Sequence, residues 1–162
     1  MVQGTLWGGD ETVEERRKRV QVVRVEMVKE RTAAFVTNRV HNSRDAAAIL
    51  ADFLAGADRE HLVVLCLDSK NKVNALNVAA VGVLNMAPVH PREVFKPAIL
   101  ANAAAIIVGH NHPSGDPAPS REDVEMARRL VEAGRLLGIE VLDSLVLGDN
   151  GTFVSFKEQG LL

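Results

Sequence analysis

The apolar and polar positions of the chain alternate between helix-like and strand-like patterns. Residues 42–56 place apolar side chains at helical spacing, with Asn42 or Ser43 as a possible N-cap and Gly56 as the expected stop. Residues 61–68 (HLVVLCLD) form a short continuous apolar run, which predicts a strand that is buried on both faces. The polar SKNK sequence after it predicts a turn into a second extended segment.

A second helix and a third strand are predicted in the middle of the chain. Residues 90–103 predict a helix because Pro91 occupies the favoured first helical position. Pro97 lies inside this pattern and lacks an amide donor, so we expect a kink or a late start of the helix. The apolar run over residues 104–110 then predicts a short strand.

The last third of the chain predicts a helix followed by a β-hairpin. Apolar residues recur at helical spacing over residues 124–137, and Gly138 is a typical helix stop. Residues 139–156 contain two strand patterns joined through Asn150 and Gly151, a dipeptide that tolerates a tight turn. Because helices alternate with strands, we predict an α/β fold with a mixed β-sheet flanked by helices.

The N-terminal region contains one further strand prediction. Residues 19–30 (RVQVVRVEMVKE) roughly alternate apolar, mostly β-branched, positions with polar and charged ones, which predicts a first strand. Residues 1–18 mix small and charged residues with Trp7, the single tryptophan, and we expect a flexible segment. The predicted organisation is therefore a flexible N-terminal segment over 1–18 and a single domain over 19–162.

Composition limits the classes of partner and compartment. Nineteen Lys and Arg against twenty-one Asp and Glu give a formal net charge of -2, so charge does not support a nucleic-acid partner. Cys66, the single cysteine, lies in an apolar run, which predicts a buried thiol and fits a reducing compartment. The chain shows no secretion signal and no apolar stretch of about eighteen residues. We therefore expect a cytoplasmic protein with no membrane partner.

Residues 109–123 (GHNHPSGDPAPSRED) contain the candidate chemistry. His110 and His112 are two residues apart at the end of a predicted strand, so both side chains point to the same side of the sheet and can bind one ion. Asp123 lies in the first turn of the next helix and can fold back onto them. Two imidazoles and a carboxylate leave a position for water, as in catalytic zinc sites. A purely structural alternative exists, because Ser120 and Asp123 have the spacing of a capping box.

Four residues match the JAMM motif of the JAB/MPN metalloproteases in type and spacing: His110, His112, Ser120 and Asp123. The chain resembles the RadC branch of that family from about residue 42 to the C-terminus, including the segments 59–71, 89–95 and 136–148. The resemblance implies the three-layer, cytidine-deaminase-like architecture of JAB/MPN domains. It also implies that Zn²⁺ is bound by His110, His112 and Asp123.

The resemblance also implies two catalytic residues. The Ser120 hydroxyl helps to stabilise the oxyanion; a backbone amide in the Ser114–Gly115 turn is a further candidate donor, from the residues rather than from the resemblance. A glutamate at the start of the strand after the first helix accepts a proton from the zinc-bound water, and Glu60 occupies that position. Glu93 is the rival candidate for this base, although its place in the first turn of a helix already accounts for it.

The function implied is a zinc-dependent metallopeptidase or isopeptidase that hydrolyses an amide bond in a peptide or isopeptide-linked protein. The alternatives are a DNA-repair-associated RadC-type module that binds or cleaves nucleic acid, and a catalytically weak zinc-binding interaction domain. The RadC branch usually has histidine after the aspartate that corresponds to Asp143, and Ser144 stands there. This departure implies weaker zinc affinity or altered activity. An apolar surface around residues 84–88 suggests a homo-oligomer.

Overall fold

The computed structural model describes residues 18–82 and 89–162. Their helices and strands follow in the order α1 (Ser43–Phe53), β1 (His61–Leu67), β2 (Val73–Val81), α2 (Pro91–Leu100), β3 (Ala105–Asn111), α3 (Arg121–Leu137), β4 (Glu140–Leu147) and β5 (Phe153–Ser155). The residues of the predicted flexible segment before Lys18, with Trp7 among them, and the predicted apolar surface at 84–88 lie outside the described residues.

The described strands form one mixed sheet in the order β2-β1-β3-β4-β5. Strands β3 and β4 are parallel, whereas β1 is antiparallel to both β2 and β3, and β5 is antiparallel to β4. The β4–β5 hairpin turns through Asn150 and Gly151, whose φ angles of 55° and 74° lie in the left-handed region that this dipeptide tolerates. The predicted mixed sheet and its final hairpin are confirmed.

Helices cover both faces of the sheet, which confirms the three-layer architecture. One core lies between α1 and the sheet, and the helix contributes Ala46, Ala47, Ile49 and Leu50 to it. The other core lies between the sheet and the pair α2 and α3; these helices contribute Val94, Phe95, Ala98 and Leu130. Strand β1 has buried residues in both cores, as its continuous apolar run predicts.

The helix ends follow local sequence signals. Asn42 caps α1 because its side chain accepts a hydrogen bond from the Asp45 amide at 3.0 Å. Helix α2 begins at Pro91, so the predicted late start is wrong, and Pro97 is accommodated inside the helix. Gly138 ends α3 in the left-handed conformation, with φ of 69°, as predicted.

The strand predicted over residues 19–30 is wrong. These residues are exposed and have no regular secondary structure; Val20 and Val22 are 85% and 99% accessible. An alternating pattern fits a sheet surface, but a strand forms only where a neighbouring strand pairs with its backbone. The nearest backbone pairing to the sheet occurs later in the chain, where the Val73 amide donates to the Asn38 carbonyl at 2.8 Å.

Two further expectations concern burial and membranes. Cys66 is fully buried in β1, and burial raises the pKa of its thiol to about 11, as expected for an unreactive core cysteine. No helix within residues 18–82 and 89–162 combines the length and the apolar character needed to cross a membrane.

Candidate metal centre

The C-terminal end of β3 places two histidines side by side. His110 and His112 are two residues apart, so the alternation of the strand directs both rings to the same side. Their Nε2 atoms are 3.1 Å apart and face each other. The His110 side chain is fully buried, and the His112 side chain is 18% exposed. The pair is therefore accessible from the His112 side.

The first turn of α3 brings a carboxylate to both rings. Asp123 places Oδ1 3.2 Å from Nε2 of His110 and Oδ2 3.3 Å from Nε2 of His112. The same residue completes a capping box: Ser120 Oγ accepts a hydrogen bond from the Asp123 amide at 3.1 Å, and Asp123 Oδ2 accepts one from the Ser120 amide at 2.8 Å. The capping and ligand interpretations thus describe one carboxylate that is held in place by its helix cap.

Glu60 joins this group from a different part of the chain. It lies directly before β1, and antiparallel pairing of Leu62 with His110 brings the start of β1 to the end of β3. Glu60 Oε1 is 3.8 Å from Nε2 of His110, and its side chain is 15% exposed. One ligand atom from each of four residues lies within 4.8 Å of the others: Glu60, His110, His112 and Asp123.

Glu93, the rival to Glu60, lies outside this group. Its side chain is 46% exposed and pairs with Lys96 at 2.9 Å. The hydrogen bond and charge of Lys96 lower the pKa of Glu93, which keeps this carboxylate ionised. The first turn of α2 therefore explains Glu93 without a role at the metal centre.

Asn111 was not singled out by the sequence pattern, yet it fixes the chain around Glu60. Its side-chain Oδ1 accepts a hydrogen bond from the His61 amide at 2.8 Å, and its Nδ2 donates to the Arg59 carbonyl at 3.0 Å. Asn111, which lies between the two histidines, thus holds the backbone on both sides of Glu60. The signal in the sequence is only an asparagine at a strand end, which is too common to identify this role.

The electrostatic balance keeps Asp123 ionised. Burial acts to raise its pKa, but the hydrogen bond and charge of His110 and the hydrogen bonds from Ser120 outweigh burial. The pKa of Asp123 therefore lies well below its usual range. An ionised carboxylate is the form that binds a cation.

The residues present fit a divalent metal ion. His112 Nδ1 donates a hydrogen bond to the Asp116 carbonyl at 2.8 Å, which leaves Nε2 as the nitrogen with a free lone pair. Two imidazole nitrogens and a carboxylate form a donor set that suits zinc and other borderline divalent ions. The four-residue cluster of Glu60, His110, His112 and Asp123 could hold a metal ion.

Comparison with known proteins agrees with this geometry. The RadC-like JAB domain family matches residues 40–161. The chain belongs to this family. It is 53% identical over 134 residues to a UPF0758 protein of Moorella thermoacetica, covering 82% of this chain and 58% of that relative.

Two further UPF0758 proteins show similar identity to this RadC-like JAB domain. The protein of Desulforamulus reducens is 49% identical over 73% of this chain, and that of Bacillus cereus strain ZK is 51% identical over 75%. This chain covers 52% and 53% of their respective lengths. This RadC-like JAB domain thus spans little more than half the length of these relatives.

The predicted oxyanion donors differ in their availability. The Gly115 amide donates to the His112 carbonyl at 2.9 Å, so this amide of the Ser114–Gly115 turn is already used within the loop. Ser120 Oγ accepts a hydrogen bond from the Asp123 amide, an interaction that uses a lone pair and leaves the hydroxyl hydrogen available to donate. Ser120 therefore has a hydrogen free to donate, whereas the Gly115 amide does not.

Ser144, the residue at which the sequence departs from the RadC pattern, lies in the core of this RadC-like JAB domain. Asp143 is buried and accepts hydrogen bonds from the Ser144 amide at 2.8 Å, Ser155 Oγ at 2.6 Å and the Lys157 amide at 3.0 Å. Ser144 is also buried, and its backbone is paired with Val108 of β3. Asp143 thus anchors the C-terminal segment, whereas the Ser144 hydroxyl makes no hydrogen bond with the described residues.

Proposed function

We propose that this domain is a zinc-dependent metallopeptidase or isopeptidase that hydrolyses an amide bond in a peptide or an isopeptide-linked protein. His110, His112 and Asp123 are the metal ligands, Glu60 is the general base, and Ser120 donates to the oxyanion. The observation that supports this proposal most directly is the convergence of Glu60 with the three ligands, because a carboxylate beside a three-ligand site can act as general base for a water in the open position.

Distances separate the role of Glu60 from that of the ligands. The carboxylate of Asp123 lies 3.2 and 3.3 Å from the two ring nitrogens, whereas Glu60 is 3.8 Å from the nearer ring. Three protein ligands with one adjacent carboxylate are typical of a catalytic zinc site with an open position. Glu60 is therefore assigned as the base beside that position.

The chemistry follows from these positions. A divalent ion bound by the three ligands would act as a Lewis acid and lower the pKa of a water molecule from about 16 towards about 7. Glu60 would accept a proton from the attacking water and return it to the leaving nitrogen as the carbon–nitrogen bond breaks. The Ser120 hydroxyl would donate to the carbonyl oxygen as it becomes negative, and loss of one such donor typically costs about 3 kcal/mol of transition-state stabilisation.

The proposed partner and compartment rest on composition. A formal net charge of -2 favours a peptide or protein substrate over nucleic acid, whose phosphates attract a basic surface. Cys66 is buried and is the only cysteine in the sequence, which supports a reducing, cytoplasmic location.

The test compares metal content and hydrolysis in matched variants. The purified wild type should contain about one zinc per chain and cleave a member of a panel of fluorogenic peptides and ubiquitin-like isopeptide conjugates. Glu60→Gln should keep the metal and lose hydrolysis by about 100-fold or more. Glu93→Gln, at an exposed glutamate outside the cluster, should change neither property. His110→Ala should lose the metal.

Three results would contradict the proposal. Wild-type protein prepared under metal-preserving conditions and found to contain no metal would rule out the centre. Full hydrolysis by Glu60→Gln would rule out this base. Cleavage of single-stranded DNA, included in the same panel, without cleavage of any peptide or isopeptide would show that the activated water acts on phosphate instead.

A further inference from the structure

Two buried polar atoms of the domain have no hydrogen-bond partner among residues 18–82 and 89–162: Nδ1 of His110 and Oγ of Ser144. No other buried side-chain nitrogen or oxygen in this part of the chain is in the same situation. Buried polar groups in folded proteins nearly always have a partner, either protein or ordered water, because an unpaired one loses its hydration without replacement. A single polar group between the two atoms would satisfy both of them.

The two side chains lie on the same face of the sheet. In the parallel pair of β3 and β4, Val108 is opposite Ser144, and His110 is opposite Val146. Residues opposite each other in a sheet point to the same face, and so do residues two apart along a strand. Ser144 is thus the diagonal neighbour of His110, displaced by two residues towards the start of the strands.

The diagonal separation suits one bridging water molecule. A rise of about 3.3 Å per residue and a strand spacing of about 4.8 Å place the two Cβ atoms about 8 Å apart. The side chains span part of this distance but do not form a direct hydrogen bond, since neither atom has a protein partner. A water that makes two hydrogen bonds of about 2.8 Å joins atoms about 5 Å apart.

The hydrogen-bonding capacities of the two groups are complementary. Nε2 of His110 faces Asp123 Oδ1 at 3.2 Å and is the nitrogen available to a metal. A neutral ring that binds a metal through Nε2 has its hydrogen on Nδ1, and metal-binding histidines almost always donate this hydrogen to a carboxylate, a carbonyl or a water. The Ser144 hydroxyl both accepts and donates, so it can complete the bonding of such a water.

We propose that Ser144 is a positioning residue for His110, with one buried water joining the Ser144 hydroxyl to Nδ1 of the ring. This link orients the ring so that Nε2 faces the cluster. Its effect on metal affinity rests on the metal centre proposed above, but the link between the two side chains does not require the metal.

The test uses two variants of nearly equal shape. Ser144→Thr keeps the hydroxyl, and Ser144→Val replaces it with a methyl group, so any crowding by the added carbon is common to both. Zinc affinity, measured by competition with a chromophoric chelator, should stay within about threefold of wild type in Ser144→Thr and fall about tenfold in Ser144→Val. Ser144→Ala, which adds no volume, should fall similarly and replaces Ser144→Val if the larger residue prevents folding.

A second buried serine serves as the matched control. Ser155 Oγ donates to Asp143, and the pairing of Ser155 with Leu145 places it on the opposite face of the sheet from Ser144. Ser155→Ala should lower the temperature of unfolding and leave zinc affinity unchanged. This control separates the loss of a buried hydroxyl in general from the loss of the hydroxyl that lies on the same face of the sheet as His110.

A readout without metal distinguishes failure of this link from failure of the metal centre. The ¹⁵N resonance of His110 Nδ1 in the metal-free protein should differ between Ser144→Val and wild type, and Ser144→Thr should restore it. Equal zinc affinities and equal Nδ1 resonances in the Thr and Val variants would overturn the proposal. A restored Nδ1 resonance in a protein that binds no zinc would support the link and refute the metal centre.

Discussion

A methyl group added at Gly148 should weaken metal binding although Gly148 is not part of the cluster. A Cβ at this position would lie 2.4 Å from the Gly115 carbonyl oxygen, 2.6 Å from Thr152 Oγ1 and 2.8 Å from Pro117 Cδ. Real Cβ atoms essentially never approach other atoms closer than 3.0 Å, so Gly148→Ala must displace the loop that contains Gly115 and Pro117.

The displaced loop supports His112, one of the proposed metal ligands. The Gly115 carbonyl accepts a hydrogen bond from the Asp149 amide at 2.9 Å, which attaches the loop to the β4–β5 turn. The neighbouring Asp116 carbonyl accepts the hydrogen bond from His112 Nδ1 at 2.8 Å. A shift of Gly115 therefore moves the carbonyl that orients the His112 ring.

The contact distances set the size of the effect. The Gly115 oxygen has to move by about 1 Å to pass from 2.4 Å to the 3.4 Å of ordinary contact. A shift of this size is enough to break a hydrogen bond of 2.8 Å such as that of His112. We expect metal affinity to fall about tenfold or more, as for other losses of the hydrogen-bond partner of a metal-binding histidine. The crowding should also lower the free energy of unfolding by about 1–3 kcal/mol.

The assay is a zinc competition titration together with thermal unfolding of the metal-free protein. Gly138→Ala is the matched control, because Gly138 has φ of +69° and nothing within 4 Å of an added Cβ. It should lose about 1 kcal/mol of stability from backbone strain and keep wild-type metal affinity. Wild-type affinity in Gly148→Ala, or equal weakening in both variants, would refute the connection between the β4–β5 turn and His112.

Two further predictions concern stability. Ser120→Ala removes the acceptor of the Asp123 amide, so the metal-free protein should lose about 1 kcal/mol and melt about 2–4 °C lower; an unchanged melting temperature would contradict the helix cap. The pKa of the Cys66 thiol is raised from its ordinary value of 9.0 to about 11 in the folded chain, so the unfolded state loses its proton first. The free energy of unfolding should therefore fall as the pH rises from 9.0 to about 11, and chemical denaturation of Cys66→Ala should show a flatter pH dependence.

Local signals predicted most of the helices and strands. The caps at Asn42 and Gly138 and the turn at Asn150 and Gly151 depend on residues within a few positions of each other, and the structure has all of them. The strand predicted over residues 19–30 does not form, because it would need a partner strand that is distant in sequence. Alternation of side chains describes which surface a strand would fit, but not whether another strand is there to pair with it.

Local sequence signals account for the arrangement of the residues at the end of β3 and the start of α3. Strand alternation directs His110 and His112 to one side, and the capping box holds Asp123 in the first helical turn; both effects act over two or three residues. The rest of the centre depends on tertiary packing. Antiparallel register brings Glu60 to His110 across 50 residues of chain, and parallel register places Ser144 on the face of His110. Register depends on the packing of the whole sheet, which no local pattern specifies.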